Sequence, residues 1–567
     1  MCFCKRERHS KRQALHTLNI SGAEPESGHL HNHLTAITLN LSDYAIIAGY
    51  FAVIVFIGIR LRRRMVSSSE YFQAGRSLPA IVTGIAFVAA NSGALEIMGV
   101  VSTSAKYGAR ANQFYWIGAI PAMLFLGLFM MPIYDGSRTR SVPEFLKFRY
   151  NEATRVLNAI SFALMMVLVS GISLYAMAII MRSFLGWSFV FCAIVAAAFV
   201  LVYVVLGGLT ATIYNEVLQF ALIVLGFTPM VFFVLRDFHG ISGLRAALPP
   251  GLSHTWQGLK LVQPSGSAMD VVGIVFGLGF VLSCGYWCTD FLLIQRALAA
   301  RDVTAASQTP LVGAVAKLFF PALVVLPGLA AIILVPKGLA ERYDMALPAL
   351  MSRYYGHGLL GLGVVAMLSS FMSGMAGNIT AFNTVWTYDL YQGHIARDKP
   401  DRHYILVGRL ATVAVTILSI GTAFIALHFN SLMDYVQLLF SFFNAPLFAT
   451  FLLGMFTTWA TPQGGFWGLL AGTLASVLHR VAYATSALHY GSDMSANFYG
   501  AIVAWSACFA ATVLVSLVTK RKPLPELDGL VYARRPRVGG QGKVLRSSWV
   551  FAAAILAICI ALNWWLR

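Results

Sequence analysis

Charge is scarce in this chain. Only 11% of its 567 residues are charged, and Asp and Glu together number 23. Soluble domains carry about a quarter of their residues as charges, so a water-soluble enzyme of this length is excluded. A glycine loop of the Walker type is also missing, which argues against an ATP-driven pump or a sensor kinase. The Gly-bearing piece "GVVSTSAKYG" lies in apolar sequence, where small residues serve close helix packing. The seven cysteines, Cys2, Cys4, Cys192, Cys284, Cys288, Cys508 and Cys559, lack the spacing of a metal site. Five of them fall in apolar segments, where packing explains them. The polar start has no apolar h-region, so a cleaved signal peptide is not expected.

What the chain has is apolar sequence: 58% of residues are hydrophobic and the mean hydropathy is +0.71. Runs of about 18 to 25 apolar residues, long enough to cross a bilayer, recur about fourteen times. The expected fold is therefore an all-α polytopic membrane protein of about fourteen transmembrane helices. A polar N-terminal tail, residues 1–42, reads as disordered, and residues 43–567 read as a single transmembrane domain. The longest remaining inside loop, Lys520 to Arg546, is short, basic and rich in Pro and Gly.

Basic residues gather in every second loop. They begin with "RLRRR" (Arg60 to Arg64) and continue through Arg138, Arg140, Lys147 and Arg149; Arg296 and Arg301; Arg397 to Arg402; and Lys520 to Arg537. Loops rich in Lys and Arg stay cytoplasmic, which places both termini outside a plasma or inner membrane. It also accounts for the net charge of +18 without a nucleic-acid partner. The lipid bilayer is the partner the composition demands.

Three apolar segments are interrupted by polar residues, which lipid tolerates only at a cost. The second span contains "AFVAANSGALEIMGV" (Ala86 to Val100). A helix broken near Asn91 to Gly93 frees carbonyls, and Ala89 and Ser92 are three apart, an arrangement able to ligate a small hard cation. In the ninth span, Ala366, Ser369 and Ser370 stand at i, i+3 and i+4, one carbonyl and two hydroxyls on one helix face. Such a neutral set suits a weakly held monovalent ion, whereas calcium wants several carboxylates. The alternative is that these serines bond back to their own preceding turn.

The seventh span, "GFVLSCGYWCTDFLLIQR", carries Gly285, Tyr286, Trp287, Thr289 and Asp290 in mid-run. The second span starts inside and the seventh outside, each leading five spans. Interrupted helices at matching positions of two inverted halves point to the central site of a transporter. The halves are expected at about 79–235 and 271–456.

Five motifs carry a resemblance: "GGLTATIYNEVLQ" (Gly207 to Gln219), "GYWCTDFLLIQRALAA" (Gly285 to Ala300), "AKLFFPALVVLPG" (Ala316 to Gly328), "MLSSFMS" (Met367 to Ser373) and "DYVQ" (Asp434 to Gln437). Together, and in this order, the chain resembles the sodium:solute symporter family, nearest its sodium/glucose cotransporter branch, over nearly all the sequence after about residue 43. The resemblance implies a LeuT-like core with a five-plus-five inverted repeat, alternating access, Na+ as coupling ion, and no enzymatic activity. Its solute would be a small polar molecule such as a sugar or polyol.

Position by position, the resemblance implies a sodium site of Ala89, Ser92, Ala366, Ser369 and Ser370. Tyr286 would be the inner gate beneath the solute, with Asn91 near it. Lys317 and Gln437 match positions that contact sugar hydroxyls, and Trp287 and Asp290 would share the cavity. The chain also departs from the pattern. Glu96 stands where sugar transporters have Gln or His, Tyr115 where they have Glu, and Phe291 where they have Gln. Glu96 could accept hydrogen bonds from hydroxyls, bind a cationic solute, be neutralised by Lys317, or face a packed neighbour as a protonated acid. Asn215 and Glu216 replace a Thr-Asp pair which, with Ser373, marks a possible second ion. One sodium is the expectation, with a proton on Glu216 as the alternative. Uptake of an organic cation, or an uncoupled sensor or leak protein of the same fold, remain open alternatives in function.

Overall fold

In lipid a lone backbone segment satisfies its hydrogen bonds only as a helix. The computed structural model of the chain is helical throughout; its one isolated β-bridge among the described residues joins Leu78 to Ala300. The structure describes residues 39–62, 68–257, 259–262, 269–335, 343–429, 431–535 and 541–567. Most of the expected polar tail, Arg63 and Arg64 of the first basic cluster, Cys2 and Cys4 therefore lie outside the described residues.

In chain order the principal helices are α1 (Leu41–Arg62), α2 (Ala80–Asn91), α3 (Ala94–Tyr107), α4 (Phe114–Gly136), α5 (Glu152–Leu185), α6 (Phe189–Asp237), α7 (Gly273–Thr289) and α8 (Phe291–Leu298). They continue with α9 (Val303–Leu334), α10 (Leu359–Ile395), α11 (Asp401–Ala426), α12 (Leu432–Phe456), α13 (Pro462–Ala484), α14 (Asp493–Val518) and α15 (Gln541–Trp565). Among the described residues 9 helices are long and apolar enough to cross a membrane, or 11 if each bent pair counts as one span. That is fewer than the fourteen expected. Leu41–Ile57 and Phe189–Val202 form only shorter apolar stretches. α13 has the length, but its glycines with His479 and Arg480 dilute its apolar character.

Those glycines have a packing role. A Cβ on Gly464, Gly468 or Gly472 would run into Ser516, Thr512 or Cys508 of α14. A small residue every fourth position lets two helices approach closely in lipid. α6 contains 49 residues, which at 1.5 Å per residue would be about 74 Å long, over twice the bilayer core. It is divided at Gly208 (φ 54, ψ −159), a conformation open only to glycine, and a Cβ there would strike Tyr71. The kink thus joins two helices, of which Gly208–Asp237 is long and apolar enough to cross a membrane and Phe189–Val202 is a shorter apolar stretch.

Both expected interruptions are present. α2 and α3 meet at 58°, and α7 and α8 at 48°. The first break falls at Ser92 (ψ 41) and Gly93 (ψ 169). The second falls on Asp290 (ψ 119), whose Oδ1 accepts from the Leu292 N–H at 2.9 Å and so caps α8. Residues 273–283 leading to it are π-helical, a geometry that recurs near functional sites. α10 runs through the centre, buried almost continuously from Leu360 to Thr384. The outer faces of α6, α11, α13 and α14 expose Phe232, Leu410, Leu478 and Leu517, the apolar surface that lipid covers.

Candidate functional site

The first break is pressed against α10. A Cβ on Gly374 would lie 2.9 Å from the Gly93 Cα, and one on Gly93 would lie 3.2 Å from the Gly374 Cα. Only a glycine pair allows this approach. At the same break the Gly93 N–H, which would close the helix on the Ala89 carbonyl, donates to the Asn91 carbonyl at 2.7 Å instead. The Ala89 carbonyl is thereby freed from its helical partner.

Two residues of the expected ion set, Ser92 and Ser370, come into contact here. Ala89, Ser92, Ala366, Ser369 and Ser370 are all fully buried. Ser370 Oγ donates to the Ser92 carbonyl at 2.7 Å, across to α2 rather than back to its own preceding turn. Ser369 Oγ, beside the Tyr50 hydroxyl, makes no hydrogen bond of ordinary length. A buried hydroxyl with no hydrogen bond of ordinary length is costly, and such an oxygen is available as a ligand for a small cation.

A cavity of about 820 Å³, counting space open to solvent, lies between the two breaks. Asn91, Glu96, Tyr115, Tyr286, Trp287, Asp290 and Gln437 line it, seven of the eight residues expected to meet the solute. Tyr286 ties the broken spans together: its hydroxyl accepts from Asn91 Nδ2 at 3.0 Å, and its ring stacks on Phe440 with centroids 4.7 Å apart. Asn91 Oδ1 and Gln437 Oε1 are buried without a partner, and Asp290 Oδ2, beside Asn444, makes no hydrogen bond of ordinary length.

The eighth residue, Lys317, is not on the cavity wall. Its side chain is fully buried, with Nζ 2.6 Å from each Glu96 carboxylate oxygen and 3.2 Å from Ser92 Oγ. The rings of Phe320, Tyr115 and Trp287 surround it at 4.3, 5.6 and 5.8 Å from the ammonium to each centroid. Among the four possibilities for Glu96, the structure pairs it with Lys317.

The possible second ion set is also buried, but Glu216 is already engaged. Arg296 holds it through Nη2 to Oε1 at 2.6 Å and Nε to Oε2 at 3.3 Å, both side chains fully buried. Asn215 and Ser373 keep buried polar atoms without partners. A cation here would have to compete with a guanidinium.

Arg296 therefore does not sit in an inside loop, as the charge pattern suggested: it lies in α8. Arg149, assigned to another such loop, is likewise fully buried, donating to the carbonyls of Gly454, Thr457 and Ala460. A count of loop charges does not distinguish a solvated arginine from one that satisfies carbonyls at a helix end. Sequence reasoning also missed Ser283, Asn378, Met433 and Phe440 on the cavity wall. Phe440 had a signal, since it stands three residues after Gln437 and so shares its helix face. Among the described residues no group of three His, Cys, Asp or Glu side chains could hold a metal.

A helical membrane protein with a cavity between two broken helices, apolar for the most part and set with a few polar side chains, has the architecture of a secondary transporter. The sequence pattern of the sodium:solute symporter family matches residues 71–472, and the chain belongs to that family. It is 27% identical to a sodium/glucose cotransporter of Vibrio parahaemolyticus, over 76% of this chain and 84% of that protein. It is 30% identical to a sodium/mannose cotransporter of Bos taurus, over 78% and 79% of the two chains. Among solved structures, a substrate-bound, outward-open Na+-coupled sialic acid symporter superposes with a TM-score of 0.74 at 18% identity, covering 86% of this chain and 100% of that one. That likeness is one of fold.

Proposed function

We propose that this protein is a sodium-coupled symporter that takes up a small polar solute, most directly a sugar or polyol, by alternating access. The observation that carries it is the convergence of both helix breaks on one cavity, with the Ser370–Ser92 contact of the ion set immediately behind it. Sodium would be held by Ala89, Ser92, Ala366, Ser369 and Ser370, and solute by Asn91, Glu96, Tyr115, Tyr286, Trp287, Asp290 and Gln437. The acceptors Asn91 Oδ1, Asp290 Oδ2 and Gln437 Oε1 suit a ligand rich in hydroxyl donors, and glucose and mannose are what the names of the curated relatives specify. In this reading α1, the first part of α6 and α13 complete fourteen spans, arranged as inverted repeats over about 79–235 and 271–456 with both termini outside the plasma or inner membrane. Sodium and solute tighten each other's binding, because coupling between two sites is reciprocal.

A second reading, an organic cation as solute, is favoured by one observation: Asp290, whose Oδ2 makes no hydrogen bond of ordinary length, lines the cavity, and no basic residue among those described is on its wall.

The test begins with thermal unfolding of the purified full chain in detergent, titrating sodium against potassium at fixed ionic strength. A ligand of the folded state stabilises it by about 2.7 kcal/mol at a hundredfold its Kd. A sodium-specific rise in Tm that is lost in Ser370→Ala supports the ion set; equal curves in both ions refute it. Uptake of glucose, mannose and glucosamine into proteoliposomes under a sodium gradient then separates the sugar from the cation reading.

A further inference from the structure

A chain of hydrogen bonds, linked through the two ends of Ser92, runs from the wall of the solute cavity to the ion set. Glu96 is the cavity end, its side chain 11% exposed. Both its oxygens accept from Lys317, whose remaining donor goes to Ser92 Oγ, so the three protons of the ammonium are all spent. The Ser92 carbonyl in turn accepts from Ser370 Oγ. Ser92 caps the end of α2 and Glu96 lies in the first turn of α3. Lys317, from α9, therefore clasps both sides of the 58° bend. Its side chain is fully buried, and the rings of Phe320, Tyr115 and Trp287 surround the ammonium.

We propose that Lys317 is the positioning residue that couples solute to sodium: a solute drawing on Glu96 changes the hold of Lys317 on Ser92, and with it the geometry that Ser92 and Ser370 offer the ion. This rests on the site assignment above. Lys317 then acts through Glu96 and Ser92 and does not itself grip the solute.

The experiment needs sodium alone as the probe. Sodium-dependent Tm is titrated for the full-length wild type, Glu96→Gln, Lys317→Gln, the Glu96→Gln/Lys317→Gln double variant, Ser370→Ala, and Leu410→Ala on the exposed outer face of α11. In Glu96→Gln the unneutralised ammonium bears on Ser92, and the sodium midpoint rises about tenfold. The double variant returns to within about threefold of wild type, and Leu410→Ala stays there. A pair that serves packing alone would lower the sodium-free Tm and leave the midpoint where it was. Glu96→Asp, which keeps the charge and shortens the reach, gives an intermediate midpoint and stands in if Glu96→Gln does not fold. A Glu96 variant with the wild-type midpoint, while Ser370→Ala no longer responds to sodium, overturns the relay and leaves the ion set standing. A Ser370→Ala titration identical to wild type removes the ion set itself, and the relay with it.

Discussion

Lys317 Nζ lies 2.6 Å from both carboxylate oxygens of Glu96, although 221 residues separate them in the chain. Neither charge tolerates the interior alone: breaking a buried pair costs about 3–5 kcal/mol, whereas replacing both partners by well-packed neutral groups is often nearly free. Lys317→Met should therefore lower stability by about 3–5 kcal/mol, and Glu96→Gln/Lys317→Met should recover most of it. Unfolding in mixed micelles measures both; equal loss in the single and double variants would show that packing, not charge, dominates.

Gly374→Ala places a methyl 2.9 Å from the Gly93 Cα, with backbone rather than a flexible side chain in the way. Overpacking of this kind costs about 1–3 kcal/mol, and here the strain falls on the hinge beside the ion set. The expected result is a lower Tm together with a weakened sodium response. A variant with wild-type Tm and sodium titration would mean that the break does not depend on this close approach.

Tyr286 makes two separable contacts, a hydrogen bond from Asn91 and a stack on Phe440. Tyr286→Phe keeps the stack and loses one neutral hydrogen bond, worth about 0.5–1.5 kcal/mol. Sodium-driven uptake should survive with KM raised about threefold to tenfold, whereas Tyr286→Ala should abolish it. Equal kinetics in the two variants would place the tyrosine outside the gate.

Arg149 satisfies the carbonyls of Gly454, Thr457 and Ala460 at the end of α12 and the start of the turn to α13. Lysine keeps the charge but not the planar fork, and each buried carbonyl left unpaired costs about 1–3 kcal/mol. Arg149→Lys should lower Tm clearly while leaving the sodium midpoint unchanged, since the residue touches no part of the ion set. A shifted sodium midpoint would show long-range coupling from this end of α12.

Much of the architecture was legible because it is written locally. Run length and composition identify spans, since each helix meets the same demand to bury its backbone polarity in lipid. The polar interruptions at Asn91 to Gly93 and at Asp290 stood out for the same reason, and the i, i+3, i+4 face of Ala366, Ser369 and Ser370 follows from helix periodicity. Charge in the loops was less informative: the same arginine signal covered solvated residues and the buried Arg149 and Arg296, because a loop count carries no information about burial.

The sequence by itself determined that this is a helical membrane protein with two broken spans, because those properties depend on neighbours within a turn or a span. Only the tertiary structure decided that Lys317 pairs with Glu96, that Arg296 holds Glu216, and that Gly93 and Gly374 touch. Each is a contact between helices far apart in the chain. Its energy depends on distances set by packing, for which no local pattern of residues gives a signal.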